Sequence, residues 1–139
     1  MKFLVASEID RLNQAFIDLL GVKPTFIRPP YGSYNDDVSN AATQRGQKLV
    51  NWDFDSGDSV GTSPQDSMAL YDQVANKTLA ATICLNHETY NSTVHQVYPY
   101  ALQKLQAAGF KLVTLAECLG DKPYVDNPGP KQPASAWHC

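Results

Sequence analysis

Apolar positions along the chain switch repeatedly between helical spacing and short β-prone runs. Ile9, Leu12, Phe16 and Leu19 recur every three or four residues, which predicts a helix ended by Gly21. Ser7 followed by Asp10 resembles its capped start. "TFI" (25–27) reads as a short strand, because the two prolines after Arg28 cannot continue either a helix or a paired strand. Asn35 to Arg45 reads as a second helix stopped by Gly46, and "KLVNWDF" (48–54) as one strand. "GTSPQDS" supplies an N-cap with Pro64 in the first turn of a helix running through Met68, Tyr71, Val74 and Ala75. "ATICL" (81–85) is a strand, Val94 to Ala108 a helix stopped by Gly109, and "FKLVT" (110–114) a closing strand before a short helical turn around Leu115 to Leu119. From Asp121 onward, Pro123, Pro128, Gly129, Pro130 and Pro133 predict an irregular tail. There is no internal repeat.

Strand and helix alternate four times over short links, which implies an α/β fold with a mainly parallel sheet. In such folds the chemistry gathers beyond the carboxyl ends of the strands. Those positions are Arg28 to Gly32, Asp53 to Asp58, Asn86 to Glu88, and Thr114. An arginine, three carboxylates and a histidine are therefore expected on one face.

Composition narrows the classes. The 139 residues, 43% of them hydrophobic, fit one globular domain. A net charge of −3 and a pI near 5.4 argue against nucleic acid, as does the lack of aromatics interleaved with Lys or Arg. No apolar run approaches the ~20 residues of a membrane span. "MKFLVAS" imitates a leader, but its apolar stretch falls short of the ~7 residues required and no cleavage site follows. It reads instead as the end of a strand or the approach to a helix. The triplets Asn76-Lys77-Thr78 and Asn91-Ser92-Thr93 are glycosylation candidates that hint at secretion. Of the three cysteines, Cys84 lies in an apolar run and is expected as a buried thiol, while Cys118 and Cys139 could pair.

His87, at the end of "ICLNHE", can donate a proton to a leaving group if a carboxylate holds it. His95 and His138 are read as structural or solvent-exposed. Asp53, Asp55 and Asp58 form either a turn-capping cluster or a site, and close carboxylates need a cation, a metal or a shared proton. Arg28 is the candidate cation. No pair of His or Cys has zinc-ligand spacing, so no metal site is read from these residues.

"RPPYG" (28–32), "NWDFDSGDS" (51–59) and "ICLNHE" (83–88), with "LVTLAECLGD" (112–121) behind them, resemble the polysaccharide deacetylases of carbohydrate esterase family 4. The likeness is strongest to the C-terminal half of fungal chitin deacetylases. It implies about four βα units from the second half of a distorted (β/α) barrel of the NodB type over 1–121, with an irregular Pro-rich tail over 122–139. It implies that Arg28 orients the base carboxylate, and that the Tyr31 N–H joins an oxyanion hole worth about 3 kcal/mol. His87 would be the general acid tuned by Asp58, and Leu85 would line the acetyl pocket. Tyr31, Trp52 and Glu88 would contact the sugar, with Trp52 equally suited to the core.

Ser59 stands where many members carry tryptophan, and Glu88 where Asp or Ser is usual, which points to an altered groove wall. The 139 residues contain neither the family's Thr-Phe-Asp-Asp-Gly-Pro type segment nor its pair of histidines four apart. These supply the base and the ligands for zinc or another divalent metal, so no cofactor site is expected here and metal-dependent turnover should be weak or missing. Half a barrel would leave an open edge, met by a homodimer, by a complementing chain, or by "KFLVA" as a replacement edge strand. The family counterpart of Cys118 often bonds an upstream cysteine, so pairing with Cys139 is the expected substitute. Arg28, without its family carboxylate, would turn to Asp58 or Asp55. The expected function is removal of N-acetyl groups from chitin or a related N-acetylglucosamine polymer, outside the cell or at the wall. The rival is a non-catalytic glycan-binding or secreted interaction protein on the same scaffold.

Overall fold

In the computed structural model, residues 2–77 and 81–129 are described. Among them the chain runs α1 (Lys2–Leu20), β1 (Lys23–Pro24), β2 (Phe26–Ile27), α2 (Asp36–Thr43), β3 (Lys48–Leu49) and β4 (Phe54–Asp55). It continues through α3 (Pro64–Ala75), β5 (Cys84–Leu85), α4 (Tyr98–Ala107), α5 (Leu115–Leu119) and β6 (Tyr124–Asp126). These elements fall into two compact units, one made of the residues up to Asn51 and from Leu119, the other of Trp52–Cys118.

In the first unit α1 starts well before Ser7. "KFLVA" is its opening turn and not an edge strand, and Ser7 donates its hydroxyl back to the Leu4 carbonyl inside the helix instead of capping it. Gly21, at φ 73°, closes the helix by donating its N–H to Ile17 O. Leu12, one of the apolar residues at helical spacing, is 54% exposed; the neighbouring Asn13 is buried at 7%. An amide is tolerated there because it is fully matched. Asn13 Nδ2 donates to Gln47 Oε1 (2.7 Å), and Gln47 Nε2 donates to Asn13 Oδ1 (2.9 Å) and to the Pro24 carbonyl (2.8 Å). This exchange ties α1 to the segment between α2 and β3 and to β1. Outside it, Arg45 grips Asp10 through two hydrogen bonds of 2.6 Å.

α2 begins where predicted, with the Asn35 side chain accepting from Val38 N–H. β2 and β3 are parallel, Phe26 facing Lys48 and Ile27 facing Leu49. Within the stretch read as an irregular tail, β6 forms and pairs antiparallel with β1, helped by Thr25 N–H donating to Pro123 O.

In the second unit β4 and β5 are parallel, Phe54 facing Cys84 and Asp55 facing Leu85. The run 48–54 is therefore not one strand: its ends pair in different units. α3 starts as predicted, with Ser63 capping Asp66 N–H and Pro64 in the first turn. Tyr71 and Val74 of α3 pack on Val97, Ala101 and Leu105, with Phe54, Cys84 and Phe110 against them. The Phe54 and Tyr71 rings meet edge-on at 4.8 Å. "FKLVT" joins no ladder among the described residues; Leu112 and Val113 are 46% and 51% exposed. α5 appears where expected.

Asn13→Ala removes one half of the buried amide exchange and leaves Gln47 short of a partner. A loss of about 1–3 kcal/mol is expected in urea unfolding; an unchanged midpoint would mean the pair carries no stability.

Candidate functional site

The second unit collects the chemistry around one loop. Of the three carboxylates in "NWDFDSGDS", two are committed to backbone. Asp53 Oδ1 accepts Ile83 N–H (2.8 Å) while Asp53 N–H donates to Ile83 O, extending the β4–β5 pairing by one residue. Asp55 Oδ1 accepts Gly57 N–H (2.8 Å), an Asx turn that swings the chain away from β4. Gly57 has φ 73°, and a Cβ there would lie 2.2 Å from Thr62 Oγ1, so only glycine fits the turn. Ser56, fully buried, is fixed from α3 by Ser67 Oγ donating to its carbonyl (2.7 Å).

That scaffold delivers Asp58 inward, its side chain only 3% exposed. Asp58 Oδ1 accepts from His87 Nδ1 (2.8 Å). Oδ2 accepts from the His87 backbone N–H (2.6 Å) and from Thr93 Oγ1 (3.0 Å). Burial pushes the Asp58 carboxyl up, but the hydrogen bonds from the His87 ring, the His87 backbone and Thr93 outweigh it and hold the group below the usual carboxylate range. A carboxylate can only accept, so the proton of a neutral His87 sits on Nδ1 and Nε2 is left for an incoming molecule. The His87 ring, 38% exposed, stands edge-on to Tyr90 at 5.9 Å. A buried carboxylate orienting a partly exposed imidazole is an arrangement suited to proton transfer.

His87 borders a cavity of about 1090 Å³ within the second unit, walled by apolar side chains such as Ile83, Leu102, Phe110 and Val113. Asn86 is in the same wall. It donates to the Tyr71 hydroxyl (2.5 Å), while its own side-chain oxygen is buried without a hydrogen-bond partner among the described residues. Desolvation drives the Tyr71 phenol strongly upward, so it stays neutral.

The remaining expected site residues fall as follows. Leu85 is half-buried in β5, Glu88 is exposed beside His87, and Trp52 is half-buried at the start of the second unit. Asn76 and Asn91 are exposed, as is His95, whereas Thr78, His138 and Cys139 lie outside the described residues. The expected Cys118–Cys139 pairing thus lies outside the described residues. Cys118 is exposed and Cys84 only half-buried, less than its apolar run suggests.

Arg28 and Tyr31 belong to the first unit. Arg28 is exposed directly after β2. Asp55 and Asp58, its expected partners, belong to the second unit. Tyr31 is in a tight turn over Pro30–Gly32 with φ 57°, the left-handed region, and is 97% exposed. Asn51 Nδ2 pins the turn by donating to Gly32 O (2.9 Å). Such a conformation costs a bulky residue about 1–2 kcal/mol and often marks a functional turn.

Sequence reasoning named Asp58 and His87 and passed over Thr93. A Thr-Val step opening a helix that carries Pro99 gave no sign that the hydroxyl turns inward.

A family model described as polysaccharide deacetylase matches residues 4–50. A chitin deacetylase of Arthroderma benhamiae is 29% identical over 120 residues, covering 84% of this chain and 32% of that protein. A bifunctional xylanase/xylan deacetylase of Cellvibrio japonicus is 32% identical over 105 residues, covering 76% of this chain and 15% of that one. This chain thus spans about a third of the first relative and less of the second. The solved chitin deacetylase of Colletotrichum lindemuthianum superposes with a TM-score of 0.80 at 23% identity, over 88% of this chain and 57% of that one. The fold is thus an α/β fold of the NodB deacetylase type. In sequence and fold the chain is similar to the polysaccharide deacetylases of carbohydrate esterase family 4.

The depressed Asp58 carboxyl makes a signed prediction. Its stabilising contribution is complete above the unfolded value of 3.8 and fades as pH falls through the lower folded value. Urea unfolding at pH 5 and pH 3 should therefore show a larger acid loss for the parent chain than for Asp58→Asn; equal losses would show that Asp58 is not stabilised by its donors.

Proposed function

We propose that this chain carries the general-acid half of a deacetylase site acting on N-acetyl groups of chitin or a related N-acetylglucosamine polymer, outside the cell or at the wall. The observation behind this reading is the buried Asp58 carboxylate, which orients His87 through both its ring and its backbone N–H. Water adds to the amide carbonyl, the C–N bond breaks, and acetate and a free amine leave. His87, protonated at Nε2, gives that proton to the departing nitrogen, and Asp58 stabilises the imidazolium before the transfer. Leu85 is assigned to the acetyl pocket, and Trp52 and Glu88 to the sugar groove. The Tyr31 N–H is assigned to the oxyanion and Arg28 to holding the base carboxylate.

Members of this family generally depend on a metal ion. Among the described residues no group of three or more His, Cys, Asp or Glu could hold one, so no step here runs through a metal. The 139 residues also hold no counterpart of the family's base segment. On this reading turnover by these 139 residues by themselves is weak or missing.

Acetate release from N-acetylglucosamine oligomers, measured with and without Zn²⁺ or Co²⁺, is expected to be at most a trace. Any trace should fall by about 10²–10⁴ in His87→Ala. Robust, chelator-sensitive release would overturn the weak-activity reading; a trace indifferent to His87 would overturn its acid role.

A second reading, a glycan-binding protein without turnover, is favoured by Tyr31 at 97% exposure and by the exposed Tyr90 beside His87. Aromatic faces of this kind suit the apolar faces of sugar rings. Calorimetry with the same oligomers separates the two: saturable binding, weakened by Tyr31→Ala and accompanied by no acetate, supports the second reading, and no measurable heat removes it.

A further inference from the structure

Thr93 supplies the one hydrogen bond to the Asp58 carboxylate that does not come from His87 among the described residues. It is 2% exposed. A threonine in a helix ordinarily turns its hydroxyl back to the carbonyl four residues earlier, as Thr43 does to Ser39 O at 2.9 Å in α2. Thr93 does not; its hydroxyl crosses to Asp58 Oδ2 at 3.0 Å. Residues Thr93–Val97 form a single π-type turn, in which Tyr98 N–H donates to Thr93 O, five residues back. Thr93 stands near the start of this helix, and the residue four positions earlier, Thr89, lies outside it.

We propose that Thr93 is a positioning residue for the Asp58–His87 pair: its hydroxyl fixes the carboxylate orientation that keeps the His87 proton on Nδ1 and leaves Nε2 to the substrate. This rests on the acid role given to His87. With Oδ2 held by Thr93 and the His87 backbone, Oδ1 has one direction left, toward Nδ1. Without the hydroxyl Oδ2 keeps one donor, the His87 backbone N–H, so the carboxylate is less firmly aimed at Nδ1 and the tautomer preference of the ring weakens. A purely space-filling Thr93 makes the opposite prediction, since valine has the same shape and lacks only the hydroxyl.

The test is the tautomer of the His87 ring, read by long-range ¹H–¹⁵N correlation NMR at a pH where the ring is neutral. The full 139-residue chain is used in an Asn91→Gln background, because Thr93 also completes the Asn91-Ser92-Thr93 triplet. The parent is expected in the Nδ1–H form. Thr93→Val should lower the Nδ1–H to Nε2–H ratio by about tenfold, the size of one charge-assisted hydrogen bond, and Thr93→Ser should restore it. A parent ratio retained in Thr93→Val overturns the proposal whatever happens to its melting temperature, as does a Thr93→Ser variant that stays mixed. A parent dominated by Nε2–H sinks the acid reading of His87 itself. Should Thr93→Val fail to fold, Thr93→Ala, which also lacks the hydroxyl, serves in its place. It should shift the ratio in the same direction; no shift counts against the proposal.

Discussion

A charged carboxylate removed from water has to be repaid in hydrogen bonds, and in the second unit that requirement falls on Asp58. With a side chain 3% exposed, it stays ionised only because three donors converge on it. Much of the local backbone follows from that demand. The Asx turn at Asp55 and the glycine at 57 bend the loop inward, and Ser67 on α3 clamps its root. β5 ends where the His87 backbone can donate, and the approach to α4 widens where Thr93 can reach. One interaction therefore sets both the shape of the loop and the tautomer of the imidazole, so fold and chemistry in this unit share a single constraint.

The first unit meets the same problem with neutral groups. Asn13 and Gln47 are buried as deeply as core leucines, yet each amide answers the other, and Pro24 takes the remaining donor. The two solutions differ in consequence. A reciprocal amide pair is insensitive to pH across the ordinary range, whereas the carboxylate–imidazole pair is titratable on both sides and can pass a proton on.

The element types were largely legible from periodicity: the four main helices, the N-caps at Asn35 and Ser63, the stops at Gly21 and Gly46 and the parallel pairing all follow from local rules. What escaped was decided by distant partners. Leu12 and Asn13 sit one step apart on α1, and only the presence of Gln47 makes the polar one the buried one. "KLVNWDF" has uniform β propensity, but its two ends find different partner strands. β6 lies in a proline-rich stretch that propensity rejects, and it exists through pairing with β1. At the site, Asp58 and His87 could be read from motif and strand-end position. Asp53 and Asp55 could not be told from Asp58 without seeing which backbone N–H each one accepts.

Tyr31 leaves an imbalance within the fold. Its ring is 97% exposed and contributes no packing, while its left-handed backbone is one that glycine or asparagine would occupy at lower energy. For Tyr31→Gly, relief of the left-handed strain and the greater freedom of an unfolded glycine oppose each other, so the ring at this position is nearly decoupled from the packing of the fold.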